Sequence, residues 1–225
     1  MVARMAGVRA FVLALLSAYS LGCAAAPFAV RLGEERVVLD APPGFADTLD
    51  LASPRLRELA ESLTSASNRI LLFALTDGDL RSFTTGDTPD LLRYLLIATP
   101  RAQERDSLSL GQFSSHAAGL MRAFGEAAEP AELRELLDSR PVGQPSLLRE
   151  LRRTPLLVTA LLATRLPPRT PREPQYMLYT HTLMLLRGKV LAVSVYARYR
   201  SAADTEWLIG ATQRWIDELQ QLNGR

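Results

Sequence analysis

The sequence predicts an α+β domain: a mainly antiparallel sheet packed by helices in a layered sandwich, after a cleaved N-terminal signal. Three observations lead there. Short apolar runs bounded by turn residues recur at 34–40, 69–76, 93–99 and 156–166. Two long runs, 175–186 and 190–200, meet at Arg187-Gly188-Lys189, where glycine supplies the positive φ of a tight hairpin. Helix-period stripes start behind capping residues at Ser53, Ser109 and Ser201.

The first 26 residues read as an export signal. Arg4 and Arg9 form a basic start, 10–22 carries no charge, and small residues follow from Gly22 to Ala26. The apolar run is shorter than the roughly 20 residues that span a bilayer. Two processing routes stand open. Cleavage after Ala24 or Ala25 leaves small residues at the recognition positions, whereas Pro27 opposes cutting after Ala26. Alternatively, Leu21-Gly22-Cys23 looks like part of a bacterial lipobox, with a signal of 1–22 and lipid attachment at Cys23. Ser20 departs from that pattern, which usually has a large aliphatic residue there. The chain is thus expected to be exported, either periplasmic or held at the membrane through a lipid on Cys23.

Composition narrows the rest. Of 225 residues, 48% are hydrophobic and 22% charged, an ordinary globular balance that excludes a disordered tail, a collagen or a polytopic membrane protein. One cysteine excludes an internal disulfide framework and a multi-cysteine zinc site. The formal charge of +2 vanishes once Arg4 and Arg9 are set aside, leaving 24 basic against 24 acidic residues. Such a chain lacks the electrostatic footprint of a nucleic-acid binder. Lys189 is its only lysine.

Along the mature chain, 27–225 reads as a single domain. Val37, Val38 and Leu39 make a strand, ended by Pro42-Pro43-Gly44. Ser53-Pro54 opens a helix with Leu56, Leu59, Ala60 and Leu63 on one face, and Asn68 suits its end. Residues 69–76 form a buried strand, closed by a turn at Asp77-Gly78-Asp79. Another strand, 93–99, stops at Pro100. Ser109 and Gln112 form a capping box for a helix whose inner stripe is Phe113, Ala117, Leu120 and Phe124. Prolines and dense charge mark about 126–154 as an insertion, with short helical pieces at 131–138 and 146–153. The final helix follows Ser201, and Trp207 and Trp215 dock it on the sheet. The predicted order is β-α-β-β-α-(insertion)-β-β-β-α.

That layout resembles the PsbP/Mog1-like α/β/α sandwich. The likeness rests on the opening strand and turn at Val37 to Phe45, the hairpin at Arg187 to Lys189, and the terminal helix from Ala202 to Leu222. The whole is also similar to exported proteins of proteobacteria. The resemblance implies an accessory or adaptor role rather than catalysis and carries over no site residue.

The chemistry-bearing residues are few. No nucleophile elbow, phosphate-binding glycine loop or H-E-x-x-H pattern occurs. His116 sits one position off its helix stripe, and His181 shares a strand face with Tyr179 and Leu183. Both read first as structural histidines. Asp77, Asp79, Asp87 and Asp90 form the densest acidic group, but turn chemistry accounts for Asp-Gly-Asp and the calcium-loop pattern is missing. No catalytic residue, cofactor or metal is therefore assigned. Arg149, Arg152 and Arg153 read as a solvated face. Tyr196, Arg198 and Arg200, with Arg165, Arg169 and Arg172 near the neighbouring strand end, form a speculative ligand surface for an anion or carboxylate.

The expected function is a non-catalytic envelope protein, an accessory or binding module for a protein or small ligand. The alternatives are a periplasmic carrier of an apolar or anionic small molecule and, further off, a hydrolase using Asp77, Asp79 or His181. No nucleic-acid partner is expected, and membrane contact only through a lipidated Cys23.

Overall fold

The computed structural model describes residues 26–128, 132–168 and 174–224, and among these residues it holds nine strands and five α-helices. Residues 1–25, which hold Cys23 and nearly all of the expected signal, lie outside the described residues, as do Arg169 and Arg172. The strands are β1 (Phe28–Leu32), β2 (Glu35–Leu39), β3 (Phe45–Asp47), β4 (Asn68–Thr76), β5 (Arg93–Pro100), β6 (Ser146–Thr154), β7 (Leu157–Leu166), β8 (Gln175–Leu186) and β9 (Lys189–Arg198). The helices are α1 (Pro54–Ser62), α2 (Asp77–Thr84), α3 (Leu110–Phe124), α4 (Leu133–Asp138) and α5 (Ala202–Asn223).

β1 and β2 pair as a separate hairpin. The other seven strands form one antiparallel sheet in the order β3-β4-β5-β9-β8-β7-β6. Alternation along each strand divides the apolar residues between two faces. One face carries Leu95, Ile97, Val193, Val195 and Leu178, and packs against Leu208, Trp215, Ile216 and Leu219 of α5. The β1–β2 hairpin and α4 join this layer through Leu32, Val37, Leu39 and Leu137. On the other face Phe73, Leu75, Tyr94 and Leu96 meet Leu56 and Ala60 of α1, with Leu80 and Phe83 of α2 alongside. Phe113 and Ala117 of α3 cover Val158, Leu183, Leu185 and Val190. The result is a helix–sheet–helix sandwich, with apolar residues buried on both faces of the sheet.

The local signals explain most element boundaries. The Ser53 side chain accepts from Leu56 N, with Pro54 at the first helical position of α1. Ser109 and Gln112 cap α3 reciprocally. The Asp204 carboxylate accepts from Arg200 N and Ser201 N and so closes the start of α5. Trp215 is 1% exposed and its Nε1 donates to Asp40 O at 2.8 Å. Trp207 packs partly buried on the same layer. At the far end of α5, the Asn223 side chain accepts from Val38 N and donates to Val38 O, pinning β2.

The β8–β9 turn has positive φ at both Arg187 (50°) and Gly188 (76°), the mirror-image turn whose twist suits a two-residue hairpin. A side chain at Gly188 would meet Ser107 Oγ. Next to it Lys189 is 3% exposed. Its Nζ donates to Arg105 O at 3.1 Å and Asp106 O at 2.7 Å, fastening the loop before α3 to the hairpin.

Several expectations need correction. Asp77-Gly78-Asp79 is the first turn of a helix, not a turn closing a strand: Thr76 accepts from Asp79 N and donates to the Asp79 carboxylate. Residues 146–153 are strand, not helix. β6 forms a sheet edge, with bulges at Leu148 and Leu151 that turn both leucines to the α5 side. Asn68 starts β4 rather than ending α1. The strands β1 and β3 complete the element order.

Replacing Lys189 with Met is expected to lower unfolding stability by about 2–3 kcal/mol, because the buried ammonium's two charge-assisted hydrogen bonds to the Arg105 and Asp106 carbonyls are lost. Urea denaturation at neutral pH measures this; Ser107→Ala, which changes nothing at the Nζ, is expected to cost under about 1 kcal/mol.

Candidate functional site: an arginine-lined recess at the sheet end

At the end of the sheet where β8 begins and β9 finishes, the chain forms a recess of about 470 Å³. It is lined by Arg134, Pro174, Gln175, Tyr176, Arg198, Tyr199 and Arg200. No carboxylate is among these lining residues. Each arginine is positioned by the fold. Arg134 Nη2 donates to Arg200 O at 3.0 Å, and its guanidinium carbon lies 6.0 Å over the Tyr199 ring. Arg198 Nη2 donates to Asp90 O at 3.1 Å. Arg200 sits on the bend into α5, held by its N–H to Asp204.

Two tyrosines frame the recess. Tyr199 N donates to Tyr176 O, so the two backbones are locked across the β8–β9 end. The Tyr176 hydroxyl donates to Asp138 Oδ1 at 2.8 Å, and Arg165 Nε lies 3.8 Å from the same oxygen. Burial, then that bond to Asp138, holds the Tyr176 phenol above its ordinary value. Three guanidiniums at a concave surface present planar donor forks, which suit a carboxylate or phosphate.

The predicted surface divides. Arg198 and Arg200 line the recess together with Arg134 and Tyr176, which no motif or spacing singles out. Tyr196 instead stacks between Tyr94 (centroids 4.3 Å apart, 8° between planes) and Tyr179 (5.3 Å, 18°). The three are cross-strand partners on β5, β9 and β8, so pairing register builds the ladder. Burial raises all three phenols.

The other candidates have structural roles. Asp79 is buried, and its carboxylate accepts from the hydroxyl of Thr76, the cap of α2, and from Asp90 N at 2.9 Å. Asp87 accepts from the Thr85 hydroxyl. Among the described residues no three His, Cys, Asp or Glu side chains gather where a metal ion could be held. His116 is exposed on α3. His181 packs edge-on to Phe124, and its Nδ1 lies 3.1 Å from Ser194 Oγ. Burial pushes the imidazole down to about 4. A second recess of about 420 Å³ also holds arginines (Arg57, Arg69, Arg101), but Glu61 lines it. There Arg69 is paired with Glu104.

No family model matches the chain, and no curated protein matches it. Among solved structures there is a distant similarity. The fold partly resembles that of the Ran-binding protein Mog1p of Saccharomyces cerevisiae. The two share 14% identity over 87% of this chain and 93% of that one, with a TM-score of 0.41.

His181 sets a pH dependence. Its folded pKa lies below the ordinary 6.5, so the unfolded chain takes up a proton first. Its stabilising contribution is complete above pH 6.5 and is lost as pH falls toward 4, by about 3 kcal/mol in full. Urea unfolding at pH 7.5 and 5 is expected to show a steeper loss for the native chain than for His181→Gln. Parallel slopes for the two would remove His181 from this role.

Proposed function

We propose that this chain is a non-catalytic, exported binding module that takes the anionic group of a ligand or partner at the Arg134, Arg198 and Arg200 recess. The observation carrying this reading is that three arginines and two tyrosines line one concave site with no carboxylate among its lining residues. The structural employment of Asp79 and His181 supports a binding role over acid–base chemistry. Export rests on the sequence of residues 1–26, with Cys23 as the alternative point of lipid attachment.

Calorimetric titration with inorganic phosphate and with succinate tests the recess and separates the two anion classes. Saturable binding of at least one is expected, weakened by raised salt and lowered about tenfold or more in Arg134→Ala/Arg200→Ala. No binding of either, or affinity unchanged in the double variant, overturns the assignment.

Export has its own measurement. The N-terminal mass of the protein from its native host is expected to show removal of 22 to 26 residues. If the cleaved chain begins at Cys23, diacylglyceryl mass and membrane partitioning are both expected to vanish in Cys23→Ala. Recovery of the intact leader on cytosolic protein overturns the localisation.

A further inference from the structure

A third recess, of about 330 Å³, opens on the α5 layer and shares no lining residue with the arginine recess. Its walls are aromatic. Phe45 and Trp207 lie 6.3 Å apart at 34°, Trp215 stands beside them, and Leu95 of the sheet lies beneath. Pro42 and Glu218 are at its margin. The volume is at the small end of ligand sites.

The charges near these rings favour a cation. Glu218 lines the recess, and Asp40 lies close enough for the two carboxyls to feel one another. Asp40 is 8% exposed, and its Oδ1 is buried with no hydrogen-bond partner among the described residues. A buried carboxylate oxygen without a donor is costly, and Asp40 is tied to the recess wall through Trp215, whose Nε1 donates to the Asp40 carbonyl. The ring faces carry the negative end of the aromatic quadrupole. Trp207 already uses this attraction: the Arg93 guanidinium carbon sits 4.0 Å from its ring centroid. Arg214 is also at the margin, but its side chain is exposed, with Nη1 lying back over Gly210.

We propose that the recess between Phe45, Trp207 and Trp215, with Glu218 at its edge and Asp40 behind, binds a small organic cation with an ammonium or guanidinium head. The aromatic walls receive the head, and the Glu218 carboxyl that lines the recess supplies the counter-charge. This assignment is independent of the anion recess, since it uses none of the same residues.

The chain has two tryptophans, so its indole N–H groups give two resolvable NMR signals. Tetramethylammonium chloride and agmatine serve as probes, with sodium chloride at matched ionic strength. Neopentyl alcohol is the neutral control of similar shape. A saturable shift of the Trp207 indole signal is expected with at least one cation, about tenfold weaker or absent with the alcohol. Calorimetry on Glu218→Gln, a partly exposed position whose change leaves the core intact, is expected to show about fivefold weaker cation binding. Trp207→Leu is expected to abolish it. The proposal fails if neither cation gives a saturable shift, if the alcohol binds as well as the cations, or if a correctly folded Trp207→Leu protein keeps full affinity.

Discussion

Register between β8 and β9 governs both faces of this molecule. The tight turn at Arg187-Gly188 fixes Tyr179 opposite Tyr196 and His181 opposite Ser194. Because side chains alternate with period two, a slip of one residue would exchange the two faces of β9. Val193 and Val195 would leave α5, and the tyrosine ladder would lose its middle ring. The turn itself is held from outside: Leu108 N donates to Gly188 O, and Lys189 grips two carbonyls of the same loop. A local backbone conformation and a long-range anchor thus specify the same pairing, an agreement between levels expected of a sequence with one native state.

The long C-terminal helix converts that sheet into a closed body. Its start is capped by Asp204, which also lies 3.5 Å from Arg93 on β5. In its middle, the Thr212 hydroxyl donates to Leu208 O and lies 2.7 Å from the buried hydroxyl of Thr180, so these two hydroxyls are satisfied. Its end grips β2 through Asn223. These ties span much of the chain and place both recesses beside α5: the arginine site at its N-terminal bend, and the aromatic site along its side.

What could be read from the sequence followed from the clarity of local signals. The hairpin, the capping box at Ser109 and the apolar stripes of α1, α3 and α5 were legible because period and capping agreed. β6 was not, since its two bulges bring Leu148 and Leu151 to one side with a spacing of three, which imitates a helix. α2 hid behind a turn-forming Asp-Gly-Asp, although Thr76 followed three residues later by Asp79 was an available capping signal. β1 offered Phe28, Val30 and Leu32 at strand period, but the run is short and adjoins the stretch read as a signal. At the recess, Arg198 and Arg200 could be chosen by alternation at the end of one predicted strand, although β9 stops at Arg198, whereas Arg134 and Tyr176 arrive from elements that only tertiary folding brings near. Tyr196 was misleading because an alternating strand position says which face a ring is on, not whether neighbouring rings already cover it.

Lys189 also shapes how this protein can be interrogated. It is the chain's only lysine, and it is 3% exposed with its ammonium turned to main-chain oxygens. Amine-directed acylating or bridging reagents therefore find no ready lysine target on the folded surface. Capturing neighbours by covalent linkage calls for chemistry aimed at carboxylates or guanidiniums, or for photoactivated probes. A sparse map from conventional amine coupling would reflect side-chain inventory rather than solitude.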